Sequence, residues 1–113
     1  MEAAQQISIL DVTASNANFT GEAIPVVAGS DVRAIIAITA ITGSPASNWY
    51  LETQTDGNDW VVLATVALAS AATATLLAEI VGRRIRLRMT QAGGANNITA
   101  SADLIIQPPN LPS

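Results

Sequence analysis

The fold is decided by residues 47–66, which read SNWYLETQTDGNDWVVLATV. Two runs rich in aromatic and β-branched residues flank Asp56-Gly57, a dipeptide typical of the two-residue type I′ turn of a β-hairpin. These runs predict a pair of antiparallel strands. A loop of even length would place Trp49 and Trp60 on the same side of the hairpin, and this side is expected to face the core.

Working outward from the hairpin, short β-branched runs between turn residues predict further strands. Pro25 indicates an edge strand or a bend in its segment, because proline cannot donate a ladder hydrogen bond. The segment 64–78 is ambiguous, since its alanine and leucine content also suits a helix. The predicted strands cover residues 7–13, 23–28, 31–42, 47–55, 58–66, about 74–80, a run that restarts at 82, and 98–107.

The run from Gly82 alternates strictly between apolar and basic residues. Ile85, Leu87 and Met89 are expected on one face and the arginines between them on the other. If Gln91 paired with Ile98 across a hairpin, Arg86 would lie opposite Asp103. The sequence thus predicts that the last two strands are neighbours in one sheet.

About eight strands and no clear helix predict an all-β protein, an antiparallel β-sandwich of Ig-like or jelly-roll-like type. At 113 residues, one domain spanning 1–113 is expected. We expect less than a tenth of the chain to be helical. Residues 1–6 are expected to form an N-terminal arm, and the proline-rich residues 107–113 an extended tail.

Composition excludes several classes of chemistry. The chain has five arginines, no lysine, histidine or cysteine, nine acids and a net charge of −4. Disulfides, Cys/His metal sites, imidazole acid–base catalysis and Schiff bases are therefore absent. We therefore expect that the protein is not an enzyme and that it binds no metal and no cofactor. The longest nearly apolar stretch, 34–41, is far shorter than the roughly 20 residues that span a bilayer, so no membrane partner is expected.

Four of the five arginines lie within six residues: Arg83, Arg84, Arg86 and Arg88. The rest of the chain contains one arginine and nine acidic residues. The simplest interpretation is a solvated face partly paired with carboxylates. The sharper one is a docking face for an acidic protein surface, because guanidinium groups bind carboxylates in bidentate geometry. Nucleic-acid binding is disfavoured by the acidic balance of the chain.

Other candidate sites have simpler explanations. Residues 56–59, Asp-Gly-Asn-Asp, lack the spacing of an EF-hand calcium loop, and a hairpin turn accounts for them. Two of the nine acids could converge as a glycosidase pair, but nothing in the sequence places them together. Trp49, Tyr50 and Trp60 could form a sugar-stacking platform, although both tryptophans are expected in the core.

Residues 48–63, NWYLETQTDGNDWVVL, carry an aromatic-led strand, a Thr-Asp-Gly turn and a Trp-led strand. This block resembles a pattern of tailed-bacteriophage virion proteins. Residues 81–88, VGRRIRLR, resemble the glycine-led, Arg-alternating strand of the same proteins. The resemblance covers about 48–106 and acts at the level of the fold. It implies a structural role, and it brings no catalytic residues with it.

Among such proteins, a capsid decoration (cement) protein is the expected function. The expected partners are the major capsid protein and further copies of this chain, with a trimer favoured. The protein would be assembled in the host cytoplasm and lie on the capsid surface of the virion. The alternative is a carbohydrate-binding module or an accessory module of a tail or fibre.

Self-association is also expected from composition. With 50% hydrophobic and 12% charged residues, a monomer of this size would expose much apolar surface. The run 34–41 is the candidate interface. The tail is expected to bind a neighbouring surface as an arm, with Leu111 as its apolar anchor. Its prolines already restrict the free chain, so binding would cost little conformational entropy.

Overall fold

The structure is a computed structural model that describes residues 5–15, 18–42, 47–55, 57–68, 70–80, 82–91 and 97–108. For residues 5–15 and residue 42 it describes the backbone alone. Leu111 and residues 1–4 lie outside the described residues, as does most of the tail. The predictions for residues 1–4 of the arm and for the Leu111 anchor therefore stay predictions.

Nine antiparallel strands make up the described chain, and two of them are only two residues long. The prediction of an all-β fold is confirmed. The described residues include no helix, and hence none that is long and apolar enough to cross a membrane. The strands are β1 (Gln5–Ser15), β2 (Phe19–Thr20), β3 (Ile24–Pro25), β4 (Asp31–Thr42), β5 (Ser47–Gln54), β6 (Trp60–Leu68), β7 (Thr73–Glu79), β8 (Arg84–Thr90) and β9 (Asn97–Gln107).

The strands form two sheets. Sheet A has the order β1-β9-β4-β7, and sheet B has the order β2-β8-β5-β6. β3 also pairs with β8, so β2 and β3 together form one interrupted edge strand along β8. Counted this way there are eight strand positions, and the chain changes sheet at every connection except the β5–β6 hairpin. This connectivity is that of a jelly roll, which decides between the two sandwich types predicted.

The core lies between the two sheets, where alternate residues of each strand point inward. Trp49 is fully buried, and its Nε1 donates a hydrogen bond to Ser47 Oγ at 2.9 Å. Ser47 Oγ in turn donates to the carbonyl oxygen of Leu68 at 2.8 Å. The indole N–H is thus satisfied inside the core, where an unpaired donor would cost about 1–3 kcal/mol.

The strand 31–42 forms with the bounds that its sequence predicts. It lies inside sheet A, between β9 and β7. Ala34, Ile36 and Ile38 point into the core and are at most 3% exposed. The expectation that 34–41 provides a subunit interface is therefore wrong for these three of its eight residues, because they already pack in the core between the sheets.

The predicted hairpin between the last two strands does not form. β8 lies in sheet B beside β5, whereas β9 lies in sheet A between β1 and β4. The alternation along β8 is correct, since Ile85, Leu87 and Met89 are buried. Only the partner differs: Arg86 lies opposite Glu52, not Asp103. The period of a strand shows which residues share a face but not which strand lies alongside.

The β5–β6 hairpin forms, with a turn other than the one predicted. Asn58 N–H donates to Thr55 O at 3.0 Å, and Thr55 N–H donates to Asp59 O at 2.8 Å. These bonds close a three-residue loop in which Asn58 adopts a left-handed φ of 66°. Because the loop is odd, Trp60 pairs with Gln54 on the outer face. The prediction that both tryptophans face the core is therefore wrong for Trp60.

The remaining boundaries agree with the prediction to within a few residues. The ambiguous segment yields the end of β6 and then β7 over Thr73–Glu79. The proline-containing strand shrinks to Ile24–Pro25 and lies at an edge of sheet B, as Pro25 indicates. β1 starts at Gln5, so Gln5 and Gln6 pair with β9 and belong to the sandwich instead of to an arm.

Gly82 marks a close approach of two chain segments. A Cβ built there would collide with the carbonyl oxygen of Gln54 and lie 2.5 Å from Thr53 Oγ1. We expect Gly82→Ala to destabilise the fold by about 1–3 kcal/mol or more, because buried backbone must move to make room. Equilibrium urea unfolding measures this loss.

Gly57→Ala is the matched control in the hairpin loop. A Cβ on Gly57 would meet no atom closer than 3.8 Å. Its free energy of unfolding should stay within about 0.5 kcal/mol of the wild-type value, as for most surface substitutions. Equal losses in the two variants would contradict the close approach at Gly82.

Candidate functional site

The outer face of sheet B carries most of the sequence-predicted docking residues. On β8, Arg84, Arg86 and Arg88 project outward because Ile85, Leu87 and Met89 fill the core. Register places them opposite Gln54, Glu52 and Tyr50 of β5, in this order. We call the face formed by these six residues with Trp60 and Val62 of β6 the basic face.

Glu52 joins two of the arginines. Arg86 Nε donates to Glu52 Oε1 at 2.8 Å. Arg88 donates from Nε to Oε1 at 3.3 Å and from Nη2 to Oε2 at 3.2 Å. The glutamate side chain is 5% exposed, whereas those of Arg86 and Arg88 are 22% and 30% exposed. One carboxylate therefore lies beneath two guanidinium groups that remain open to solvent.

The pKa of Glu52 reflects two opposed influences. Burial acts to raise the pKa, but hydrogen bonds and charge attraction from Arg86 and Arg88 outweigh it and hold the pKa below its usual value. Glu52 is accordingly ionised in the folded protein at neutral pH. Because the pKa is lower in the folded protein, the ionised carboxylate stabilises the fold relative to its protonated form.

Two aromatic rings support the same arginines. The guanidinium carbon of Arg86 lies 4.0 Å from the centroid of the Trp60 ring, and that of Arg88 lies 4.2 Å from the centroid of Tyr50. Both are cation–π contacts, which contribute about 0.5–1 kcal/mol at exposed sites. Sequence analysis missed this role of Trp60 because the parity of the hairpin loop decides its side. Since Arg86 covers one face of the indole, the arrangement disfavours a sugar-stacking platform.

Arg83 and Arg84 are exposed at one end of the basic face. With Pro25, Gln54, Thr55 and Asn58 they line a cleft of about 310 Å³. The two arginines are held by backbone contacts to β5, since Arg83 N–H donates to Gln54 O and Thr53 Oγ1 donates to Arg84 O. The structure thus collects three of the four predicted docking arginines on one face and leaves Arg83 at its rim.

The outer face of sheet A has the opposite character, which sequence analysis did not find. Asp31 and Glu79 lie directly opposite each other on β4 and β7, and Arg33 lies two residues further along β4. This end of the face contains a groove of about 620 Å³, also lined by Leu77, Ile105 and Gln107. Asp103 of β9 lies on the same face, four residue pairs along the β4–β9 ladder from Asp31. We call this the acidic face; its residues are far apart in sequence and only strand pairing unites them.

The chemistry available at these surfaces is that of binding. Guanidinium groups can donate to carboxylates, sulfates or phosphates in a planar, bidentate manner. Among the described residues, no group of three or more acidic side chains is placed to hold a metal ion. The expectations of no enzyme, no metal and no cofactor stay predictions, as does the docking role of the arginines.

Comparison with known proteins identifies the fold. No family model and no curated protein matches the sequence. A solved structure described as "Bacillus endospore appendages form a novel family of disulfide-linked pili" is similar, with a TM-score of 0.63 and 13% sequence identity. The alignment covers 96% of this chain and 88% of the pilus chain. At this identity the likeness shows a shared β-sandwich fold and nothing finer.

Protonation of Glu52 should destabilise the fold in acid. A carboxylate whose pKa is lowered on folding stabilises the native state above its unfolded pKa of about 4.3, and this contribution disappears as the pH falls through the folded pKa. We expect Glu52→Gln to lower the melting temperature at pH 7 and to make stability less dependent on pH below about 4.3. Thermal unfolding from pH 7 to pH 2 measures both effects.

Glu22→Gln is the matched control, because Glu22 is exposed and lies in the segment between β2 and β3. Its melting curve should follow that of the wild type across the same pH range. If the two glutamine variants behaved alike, the interpretation of Glu52 as the acid-sensitive group would be wrong.

Proposed function

We propose that this protein is a structural subunit that associates with copies of itself, and that it decorates and stabilises a bacteriophage capsid. The observation that carries the first part is the free edge of sheet B. Among the described residues, strand β6, Trp60–Leu68, pairs with β5 alone and is the last strand of its sheet. It contains no charged residue and no proline.

A free edge of this kind is unusual for a protein that works alone. Edge strands are normally shielded by charges, prolines or bulges, because their unpaired N–H and C=O groups attract other strands. β6 is nine residues long, and of these protections it has only a single bulge, opposite the step from Leu51 to Glu52 of its partner strand. Val61 and Val62 are each 45% exposed on it. These features suit a surface that a second subunit covers.

The assignment to a capsid rests on the resemblance of 48–63 and 81–88 to virion proteins of tailed phages. Jelly rolls are common in viral capsid proteins, which supports the assignment at the level of the fold. The proposed partners are the major capsid protein and further copies of this chain, in a trimer. The proposed location is the capsid surface of the virion, after assembly in the host cytoplasm.

A second candidate is a subunit of a fibrous surface appendage. The fold that it shares with a protein of disulfide-linked pili favours this candidate. This chain has no cysteine, so its subunits would be joined by non-covalent contacts instead of disulfides. Both candidates are assembly proteins, and both require the chain to bind its own copies.

Placing a charge on the free edge should weaken self-association. We expect Val62→Lys to reduce the self-association constant at least about tenfold, because burying an ammonium in an interface costs several kcal/mol. Sedimentation velocity over a concentration series measures the constant. Val27→Lys is the control, since Val27 is 62% exposed but lies between β3 and β4, away from the edge.

The control should associate like the wild type, and both variants should keep its melting temperature. A wild-type protein that sediments as a monomer at high micromolar concentration would overturn the proposed self-association.

The cellular context separates the two candidates. Immunogold labelling with an antibody against this chain, applied to particles and cells that produce it, should mark the surface of phage heads. Label along surface fibres would replace the capsid assignment with the appendage one. Label on neither structure would overturn both.

A further inference from the structure

We infer that copies of this protein stack face to face, the basic face of one copy covering the acidic face of the next. This inference rests on the proposed self-association and adds a second contact to it, through the outer faces of the two sheets instead of the free edge of β6. The two faces lie on opposite sides of the sandwich, because one belongs to sheet B and the other to sheet A.

The faces are opposite in charge. The basic face presents Arg84, Arg86 and Arg88 over the single carboxylate of Glu52. The acidic face presents three carboxylates and one arginine, namely Asp31, Glu79, Asp103 and Arg33. Complementary potentials of this kind steer encounter and fix the register of two surfaces.

One arrangement on the acidic face is unfavourable in an isolated subunit. Asp31 and Glu79 are exposed and are direct partners across β4 and β7. Like charges at directly opposite positions of two antiparallel strands repel each other and destabilise the pair. A guanidinium group supplied by a neighbouring copy would relieve this repulsion. Arg84 suits the task because it is exposed, at the same end of the sandwich.

The ends of the strands place these charges in matching rows. β4 begins at Asp31, and a short connection joins its other end to the start of β5, which ends at Gln54. Asp31 and Gln54 therefore lie at the same end of the sandwich. Gln54 pairs with Arg84. If the next copy is displaced along the thickness of the sandwich, the row of one copy that contains Arg84 therefore lies over the row of the other copy that contains Asp31 and Glu79.

The spacing along the strands also agrees. Arg84 and Arg88 are four residues apart on β8. Asp103 pairs with Ile35, which is four residues from Asp31 on β4. Four residues of a strand span about 13 Å, so the second pair of rows, Arg88 and Asp103, would also meet.

The row between these two rows also carries apolar side chains. On the acidic face, Leu77 is 63% exposed and lines the 620 Å³ groove beside Arg33 and Ile105. On the basic face, Val62 is 45% exposed and pairs with Glu52. The same row would bring Leu77 of one copy over Val62 of the next. Apolar burial would supply affinity, and the charges would supply register.

Because the contact joins two different surfaces, it leaves a free face at each end of a pair. Such heterologous contacts continue into rings or open stacks. The face-to-face contact would therefore extend association beyond the proposed trimer, into a series of oligomers that grows with concentration and ends where another protein caps a face.

Charge reversal tests the stack. One variant, Arg84→Glu, alters the basic face, and a double variant, Asp31→Arg with Glu79→Arg, alters the acidic face. Each alone should self-associate at least about tenfold more weakly than the wild type, since like charges across an interface cost several kcal/mol. An equimolar mixture should regain association, because each altered face then meets its complement. Sedimentation velocity measures all three samples.

Asp59→Arg is the matched control, because Asp59 is exposed in the hairpin loop and belongs to neither face. It should associate like the wild type, and circular dichroism should show the same fold in every variant. Association of the wild type should also weaken as salt is raised from 0.05 to 0.5 M. Added salt shortens the distance over which charges attract each other, which is about 10 Å at 0.1 M.

The outcomes separate the two proposals. If the wild type associates and the charge-reversed variants associate equally well, the stack is wrong and self-association stands. If the mixture fails to regain association, the stack is also wrong. If the wild type is monomeric throughout, the proposed self-association fails and the stack fails with it.

Discussion

The carboxylate of Glu52 organises the outer face of sheet B. It lies under Arg86 and Arg88, takes hydrogen bonds from both, and thereby sets where their guanidinium planes lie. Trp60 and Tyr50 then contact these planes from β6 and β5. Without this carboxylate between them, Arg86 and Arg88, which are two residues apart on β8, would repel each other. With it, the arginines form a fixed surface with a net positive charge.

The same carboxylate links two strands that are distant in sequence, β5 and β8. Glu52 lies on the second strand of sheet B from the free edge, between β8 and β6. Its contacts on β8 are 34 and 36 residues away. Such non-local contacts form only after the sheet has assembled, because closing a long loop must precede them. The charged face is therefore a product of the tertiary fold and not of any local segment.

Much of the fold can be predicted from the period of the strands. The alternation along β8 identifies the buried and exposed residues, and β4 forms over the predicted residues 31–42. Strand neighbours cannot be predicted in this way, and Arg86 was assigned the partner Asp103 instead of Glu52. The acidic face was missed for the same reason, since Asp31 and Glu79 meet only through the β4–β7 pairing. The side taken by Trp60 depended on one residue of loop length.

That loop has an evolutionary consequence. The side chains of a strand alternate with a period of two, so the length of the loop before β6 determines which of its residues point outward. The residue types at positions 56–58 can change, as long as asparagine or glycine occupies position 58, where φ is left-handed. A net gain or loss of one residue would exchange the two sides of β6 and place Trp60 against the core. Descendants of this chain should therefore vary in the sequence of this loop while inheriting its length.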